Sequence, residues 1–269
     1  MRAAIRKTTG AGTDPDTGFC RGNLVGVALV SQPSLAEGMS ADCRQLCTCQ
    51  AAARHACRRW DKNWIPGMTS GGTADLDRLR EAAAGCRACE LWETGTQTVF
   101  GEGNAQAPMM LVGEQPGDRE DIEGRPFVGP AGGVLDRALE AAGLDRSDLY
   151  LTNAVKHFRW VQRGKRRLHQ KPDIGHITAC APWLRAEVET VRPRLLVCLG
   201  ATAVQAVLGE SIRVLRDRAR FFPSTFDIPA MPTVHPSSIL RAPDPESQEQ
   251  AFEAFCVDLR TAAQWLRSN

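Results

Sequence analysis

Two of the five histidines in this 269-residue chain have neighbours that suit an imidazole to chemistry. His169 lies in KHFRWVQRGKRRLHQK, residues 156–171, which carries seven Lys and Arg and no acid. Cations beside an imidazole disfavour its protonation, so the neutral, nucleophilic form is favoured there. His235 follows a short apolar run in MPTVHPSS, where Pro236 restrains the turn and Ser237 and Ser238 offer hydroxyl or backbone donors. An imidazole so placed suits the stabilisation of negative charge on a leaving group. Arg241, after Ile239 and Leu240, sets a cation beside an apolar wedge of the kind that enters a duplex.

Acidic and polar groups sit at comparable places. Glu114, Gln115, Pro116, Gly117 and Asp118 follow the apolar run PMMLVG, and the loop continues through EGRPFVGPAGG. It has neither the G-x-G-x-x-G spacing nor the lysine of a phosphate-binding loop, so nucleotide-cofactor chemistry is poorly supported. Phe127 within it reads as a stacking surface for a flipped base or as a plug beneath the loop. Asn153, ending DLYLTNAV, offers the donor and acceptor that a pyrimidine edge needs, or it caps the strand locally. Lys165, Arg166 and Arg167, interleaved upstream with Phe158 and Trp160, suit phosphate contacts or a solvated basic face. Cys86-x-x-Cys89 with Cys180 and Cys198 makes a four-thiolate set fit for zinc or a [4Fe–4S] cluster. Cys198, inside an apolar run, also reads as a buried free thiol.

These residues need elements to hold them. Apolar runs at 108–113, 148–155, 194–200 and 231–234 read as strands. Helical patterns cover 75–86, 132–144, 173–191, 201–209 and 246–267. The basic segment 156–171 reads as a loop by composition. Strands alternating with helices predict a parallel sheet covered on both faces, with the polar residues past the strand ends meeting in one crevice. The 43% hydrophobic content supports a core, and no run of 18 or more apolar residues suggests a membrane span. The net charge of +2 conceals the local basic concentration. Ten cysteines with no continuous apolar leader point to thiols in a reducing, cytoplasmic setting. Residues 1–67, with His55 and Cys43, Cys47, Cys49 and Cys57, read as a weakly patterned N-terminal extension. Residues 68–269 read as the catalytic domain, and Met68 is a candidate start.

Taken together, GEQPGDREDIEGRPFVGPAGG, LYLTNAVKHF, GKRRLH and TVHPSSILR resemble the uracil-DNA glycosylase superfamily. The KRRLH run points to its X-type branch, related to the iron–sulfur family 4 enzymes. The resemblance covers about residues 73–268. It implies a three-layer α/β/α sandwich with a central, mainly parallel four-stranded sheet. It implies excision of uracil from DNA, with His169 captured on the sugar C1′ as a covalent adduct after one turnover. Glu114 and Asp118 would belong to the catalytic motif with His235 supporting the departing uracil. Gln115, Gly117, Phe127, Asn153 and Ser237 would surround the base. Lys165, Arg166, Arg167 and Arg241 would meet DNA. Cys86, Cys89, Cys180 and Cys198 would hold a [4Fe–4S] cluster, with zinc as the other occupant. The partner would be uracil-containing DNA, single-stranded as well as duplex, met by a monomer at the bacterial nucleoid and not at a membrane. A multiple-turnover family 4 glycosylase and a non-catalytic iron–sulfur DNA-binding protein are the competing readings.

Overall fold

A computed structural model describes residues 73–269. The expectations for residues 1–67, including His55 and its neighbouring cysteines, lie outside the described residues. Helix α1 (Thr73–Ala84) buries Leu76, Leu79 and Ala83, the three-and-four spacing that puts apolar groups on one helical face. A short turn, α2 (Leu91–Thr94), leads to strand β1 (Glu102–Gly103) and then β2 (Met109–Gly113), all five residues of which are buried. Helices α3 (Asp118–Glu123) and α4 (Pro130–Ala142) follow, and α4 stops at Gly143 in the left-handed conformation. Strand β3 (Tyr150–Asn153) is fully buried, and a two-stranded hairpin of β4 (Trp160–Arg163) and β5 (Arg166–His169) comes next. The remaining elements are α5 (Ile174–Val191), β6 (Leu195–Leu199), α6 (Ala201–Leu208), α7 (Val214–Asp217), β7 (Phe222–Pro223), β8 (Pro229–Thr233), α8 (Pro236–Leu240) and α9 (Pro245–Ser268).

The main sheet runs β1-β3-β2-β6-β8-β7. Its middle four strands are parallel, as expected, and each edge carries a two-residue antiparallel strand that the sequence pattern does not announce. Pro223 and Pro229 sit in the β7 edge pairing, where missing N–H groups limit further strand addition. Alternate residues of β2 face opposite layers. Met109 and Leu111 pack with Leu135, Leu139, Phe255 and Leu259 from α4 and α9. Met110 and Val112 pack with Leu79, Leu184 and Val204 from α1, α5 and α6. This is the three-layer sandwich, and the period-two alternation of the strands builds both cores at once.

The basic segment departs from expectation. It forms an antiparallel hairpin in which Trp160 pairs with His169, Val161 with Leu168 and Arg163 with Arg166. Gly164, at φ 60, supplies the left-handed residue of its turn. Its high charge hides the alternation that would mark two strands. No helix among the described residues is long and apolar enough to cross a membrane.

Candidate active site and cysteine cluster

The C-terminal ends of the four parallel strands open onto a cavity of about 920 Å³. Glu114 follows β2, Asn153 ends β3, Gly200 follows β6 and His235 follows β8; all four line the cavity together with Phe127 and His169. The crevice expected from the strand pattern therefore forms, and it gathers the residues that carry chemistry.

Glu114 and His169 face each other, Oε1 standing 3.2 Å from Nε2. The other carboxylate oxygen accepts a hydrogen bond from the Thr202 hydroxyl. Burial acts to raise the Glu114 pKa, but the hydrogen bonds of His169 and Thr202 and the attraction of His169 and His235 outweigh it and leave a net lowering. Glu114 is thus held as a carboxylate beside the imidazole. In the same cavity, desolvation lowers His235 to about 4, so its ring is neutral at pH 7. The Ser237 backbone N–H donates to His235 Nδ1 at 3.1 Å. A backbone N–H can only donate, so Nδ1 is the acceptor nitrogen and Nε2 carries the proton. Ser237 therefore orients the imidazole. His235 also stacks on Phe127, with ring centroids 6.3 Å apart and planes inclined by 27°.

Phe127 and Asn153 are brought to one spot. A Cβ added to Gly113 would collide with Asn153 Oδ1 and lie 2.6 Å from Phe127 Cζ, so a glycine is what admits both side chains. Phe127 itself adopts φ 56, a left-handed conformation rare for a bulky residue. Glu120, which the sequence pattern does not single out, holds the surrounding loop. Its two oxygens accept from Gly117 N at 3.1 Å and Gly129 N at 2.9 Å, clasping both ends of the segment that presents Phe127.

Several expected contact residues are already engaged within the fold. The Gln115 amide donates to the carbonyls of Arg159 and Gln170, both at 3.1 Å, and its oxygen accepts from Arg159 N at 3.2 Å. Gln115 thus ties the two ends of the hairpin together beside His169 instead of presenting its amide to a base. Arg167 donates from Nε to Asp118 and from Nη1 to Asp121, each at 2.6 Å, and lies over the rings of Phe158 and Trp160. Two carboxylates neutralise that guanidinium, so it anchors the hairpin to α3, with Asp118 as one of its anchors. Gly117 meets Glu120 through its N–H. Lys165 and Arg166 are exposed at the hairpin tip, and Arg241 is exposed on the rim of the cavity, as phosphate contacts require.

The cysteines divide. The Cys180 thiol hydrogen-bonds to Cys89 and brings the Cys89 pKa down to about 6. Lys156 N approaches Cys180 Sγ at 3.4 Å, and Trp183 Nε1 approaches Cys86 Sγ at 3.2 Å. Cys198 differs from them in its surroundings. It lies wholly buried in β6 among the apolar residues of the α1–α5–α6 face, and burial alone raises its thiol. The residue expected as fourth ligand is thus enclosed in a strand whose five residues are all buried. Among the described residues no three His, Cys, Asp or Glu side chains converge as a ready-made single-ion site.

Another donor lies next to this region in the chain. His157, next to the Lys156 peptide that meets Cys180, is 4% exposed, and its Nδ1 is buried with no hydrogen-bond partner. Its Nε2 lies 3.0 Å from Thr98 Oγ1, whose own hydrogen goes to the Ala83 carbonyl, three residues before Cys86. Thr98 must then accept from Nε2–H, which leaves Nδ1 as a bare lone pair in the interior. Burying such a group unpaired is costly, and thiol and imidazole are donor types suited to iron or zinc.

Residues 100–260 match the family described as the uracil-DNA glycosylase superfamily. A Type-4 uracil-DNA glycosylase of Saccharolobus solfataricus is 33% identical over 177 residues, 63% of this chain and 79% of that protein. One of Thermotoga maritima is 34% identical over 167 residues, 62% of this chain and 83% of that protein. A Type-5 uracil-DNA glycosylase of Pyrobaculum aerophilum is 31% identical over 173 residues, 57% of this chain and 72% of that protein.

Proposed function

The chain belongs to the uracil-DNA glycosylase superfamily, and on that premise we propose that it excises uracil from DNA and then joins the exposed sugar carbon through His169. The observation that carries the second half is the His169–Glu114 contact at the cavity, 3.2 Å between Nε2 and Oε1. A conventional hydrolytic site leaves room for water at the sugar; an imidazole lining the cavity on an anchored hairpin supports attack by His169 instead.

Extrusion of the nucleotide places uracil between Phe127 and the Asn153 amide, which offers one donor and one acceptor to the pyrimidine edge. The exposed Lys165, Arg166 and Arg241 meet phosphates and offset part of the unstacking cost. As the N-glycosidic bond breaks, its electron pair leaves with uracil, and the Nε2–H of neutral His235 donates to the developing anion. The sugar becomes cationic in character at C1′, and the Glu114 carboxylate supplies a negative charge at the cavity. His169 then adds to C1′ through an imidazole nitrogen, while the Nε2 proton passes to Glu114 Oε1. The product is a neutral imidazole joined to the sugar, one protonated carboxylate and the uracil anion, which takes a proton from solvent on release. Gln115 and Arg167 act by holding the hairpin, and Asp118 by holding Arg167.

Cys86, Cys89 and Cys180, with His157 in place of Cys198, are the residues we assign to a [4Fe–4S] cluster. When bound, that group supplies a cross-link among the α1–α2 turn, the segment after β3 and α5, beside the Lys156 turn that follows Asn153. The test of function is denaturing electrophoresis after incubation with single-stranded uracil-containing DNA. The wild-type chain should shift a stoichiometric fraction of the strand into a heat-stable adduct. His169→Ser should abolish the adduct and release uracil over multiple turnovers. A heat-stable adduct formed by the serine variant would overturn the assignment of His169, and release of uracil by the wild type over many turnovers would favour the hydrolytic reading.

A further inference from the structure

Helix α6 begins immediately after the β6 strand, and its second residue, Thr202, is fully buried. A threonine in the first turn of a helix ordinarily meets backbone or solvent. Here its hydroxyl is committed to Glu114 Oε2, 88 residues away in the chain, while Glu114 Oε1 faces His169. We propose that Thr202 is a positioning residue for the covalent step: it fixes one edge of the Glu114 carboxylate so that the other is aimed at the Nε2 proton of His169. This deepens, and rests on, the reading of His169 as the nucleophile.

Three features support that role. Thr202 is the last of a Gly200-Ala201-Thr202 turn packed against both catalytic walls, since a Cβ on Gly200 would come 2.9 Å from His235 Cβ. The turn cannot shift without disturbing His235. The carboxylate is also bonded to a side chain in the first turn of α6, the end of a helix that favours negative charge. Finally, a carboxylate has two edges, and one that rotates freely presents either to the imidazole. Saturating Oε2 with a buried hydroxyl removes that freedom before substrate arrives.

Thr202 carries no proton in the reaction. Its hydrogen stays on its own oxygen, the Nε2 proton goes to Oε1, and the new bond is between imidazole nitrogen and C1′. The charged or titratable groups facing Glu114 are His169 from β5 and His235 after β8; Asp118, Arg119, Glu120, Lys171 and Arg241 line the same cavity. Loss of the Thr202 hydroxyl takes away one donor while burial remains, so Glu114 binds its proton more readily. Adduct formation needs Glu114 unprotonated at the start, so the acid limb of the rate must move to higher pH.

The experiment measures initial rates of adduct formation on single-stranded uracil-containing DNA as a function of pH, for full-length protein of matched iron content. Thr202→Val should slow the step about tenfold near neutral pH and displace the acid limb upward, as expected for the loss of a hydrogen bond to a charged group. Thr202→Ser, which keeps the hydroxyl, should stay within about twofold of wild type with the limb unmoved. Thr202→Ala should reproduce the shift of the valine variant and guards against a packing artefact of valine. A uniform slowing at every pH, an unmoved limb in Thr202→Val and Thr202→Ala, or a serine variant as impaired as valine would each overturn the proposal while leaving the His169 reading intact. Failure of the wild type to form any adduct would overturn both.

Discussion

His157 and Cys198 offer a metal donor contrasting surroundings. A thiol in the sequence is an obvious ligand, yet Cys198 is wholly buried in a central strand, with its acidity suppressed by burial. The histidine carries no ligand spacing, yet it ends as a buried imidazole with one nitrogen committed to Thr98 and the other unpaired. Desolvation lowers its pKa, so it stays neutral and its Nδ1 lone pair stays available. The expected outcome is a split between two substitutions. His157→Ala should lower iron and acid-labile sulfide per chain, and His157→Cys should restore them with altered magnetic-resonance parameters, because nitrogen is exchanged for sulfur. Cys198→Ala should keep the full complement. Iron lost from the Cys198 variant and kept in the His157 variant would return Cys198 to the ligand set.

At the scale of elements, the β4–β5 hairpin decides where His169 stands. It has only two strands and little core of its own, and such a unit is marginal unless something pins it. Gln115 bonds to both of its ends, Arg167 ties it to Asp118 and Asp121, and Trp160 Nε1 donates to the Thr94 carbonyl at 3.0 Å. Gln115→Ala should weaken this docking by about 1–3 kcal/mol, the range for losing a few neutral hydrogen bonds. The check is twofold: faster amide exchange across 160–169, and a larger loss in adduct formation than in uracil release. Equal losses in both would mean that Gln115 serves the base pocket directly. The same hairpin marks the boundary of what is legible in the sequence. The four parallel strands are readable because each is a short apolar run, three of them leading to a polar group, and their ends do converge on Glu114, Asn153 and His235. The hairpin is not, because its alternation is masked by arginine and lysine. Nor are the duties of Asp118, Gln115 and Arg167, since charge and polarity are visible in a sequence but the partner is not. Arg167 and Asp118 are 49 residues apart, and only the fold sets them 2.6 Å from each other. Thr202 and Glu120 escape for the same reason.

Across the whole molecule, one buried ion pair links the cysteine region to the base pocket. Lys156 Nζ and Glu187 Oε2 are 2.6 Å apart and both side chains are fully buried. Lys156 also donates to Thr152 Oγ1 at 2.7 Å and to the Asn153 carbonyl at 2.8 Å, while its own backbone N–H approaches Cys180. Glu187, from α5, further accepts from Gly101 N at 2.9 Å and from the Tyr150 and Thr152 hydroxyls. The network thus joins the segment before β1, strand β3 and helix α5, and it holds the turn whose first residue is Asn153 and whose last is His157. A pair sealed from water gains little net stability over an apolar replacement, because desolvation of both ions offsets their attraction. Its retention here is better understood through geometry: the ammonium needs several oxygens at once, and only one arrangement of the Asn153–His157 turn supplies them. Lys156→Met should therefore destabilise the chain by about 3–5 kcal/mol, by leaving Glu187 buried without its cation. Lys156→Met combined with Glu187→Leu should recover much of that loss in denaturant unfolding, since no uncompensated charge remains. The double variant should nonetheless bind uracil-containing DNA with impaired excision, because Asn153 has lost the contact that fixes its carbonyl. A double variant that is stable and excises uracil at the wild-type rate would reduce the pair to a packing feature and remove the link between the two regions.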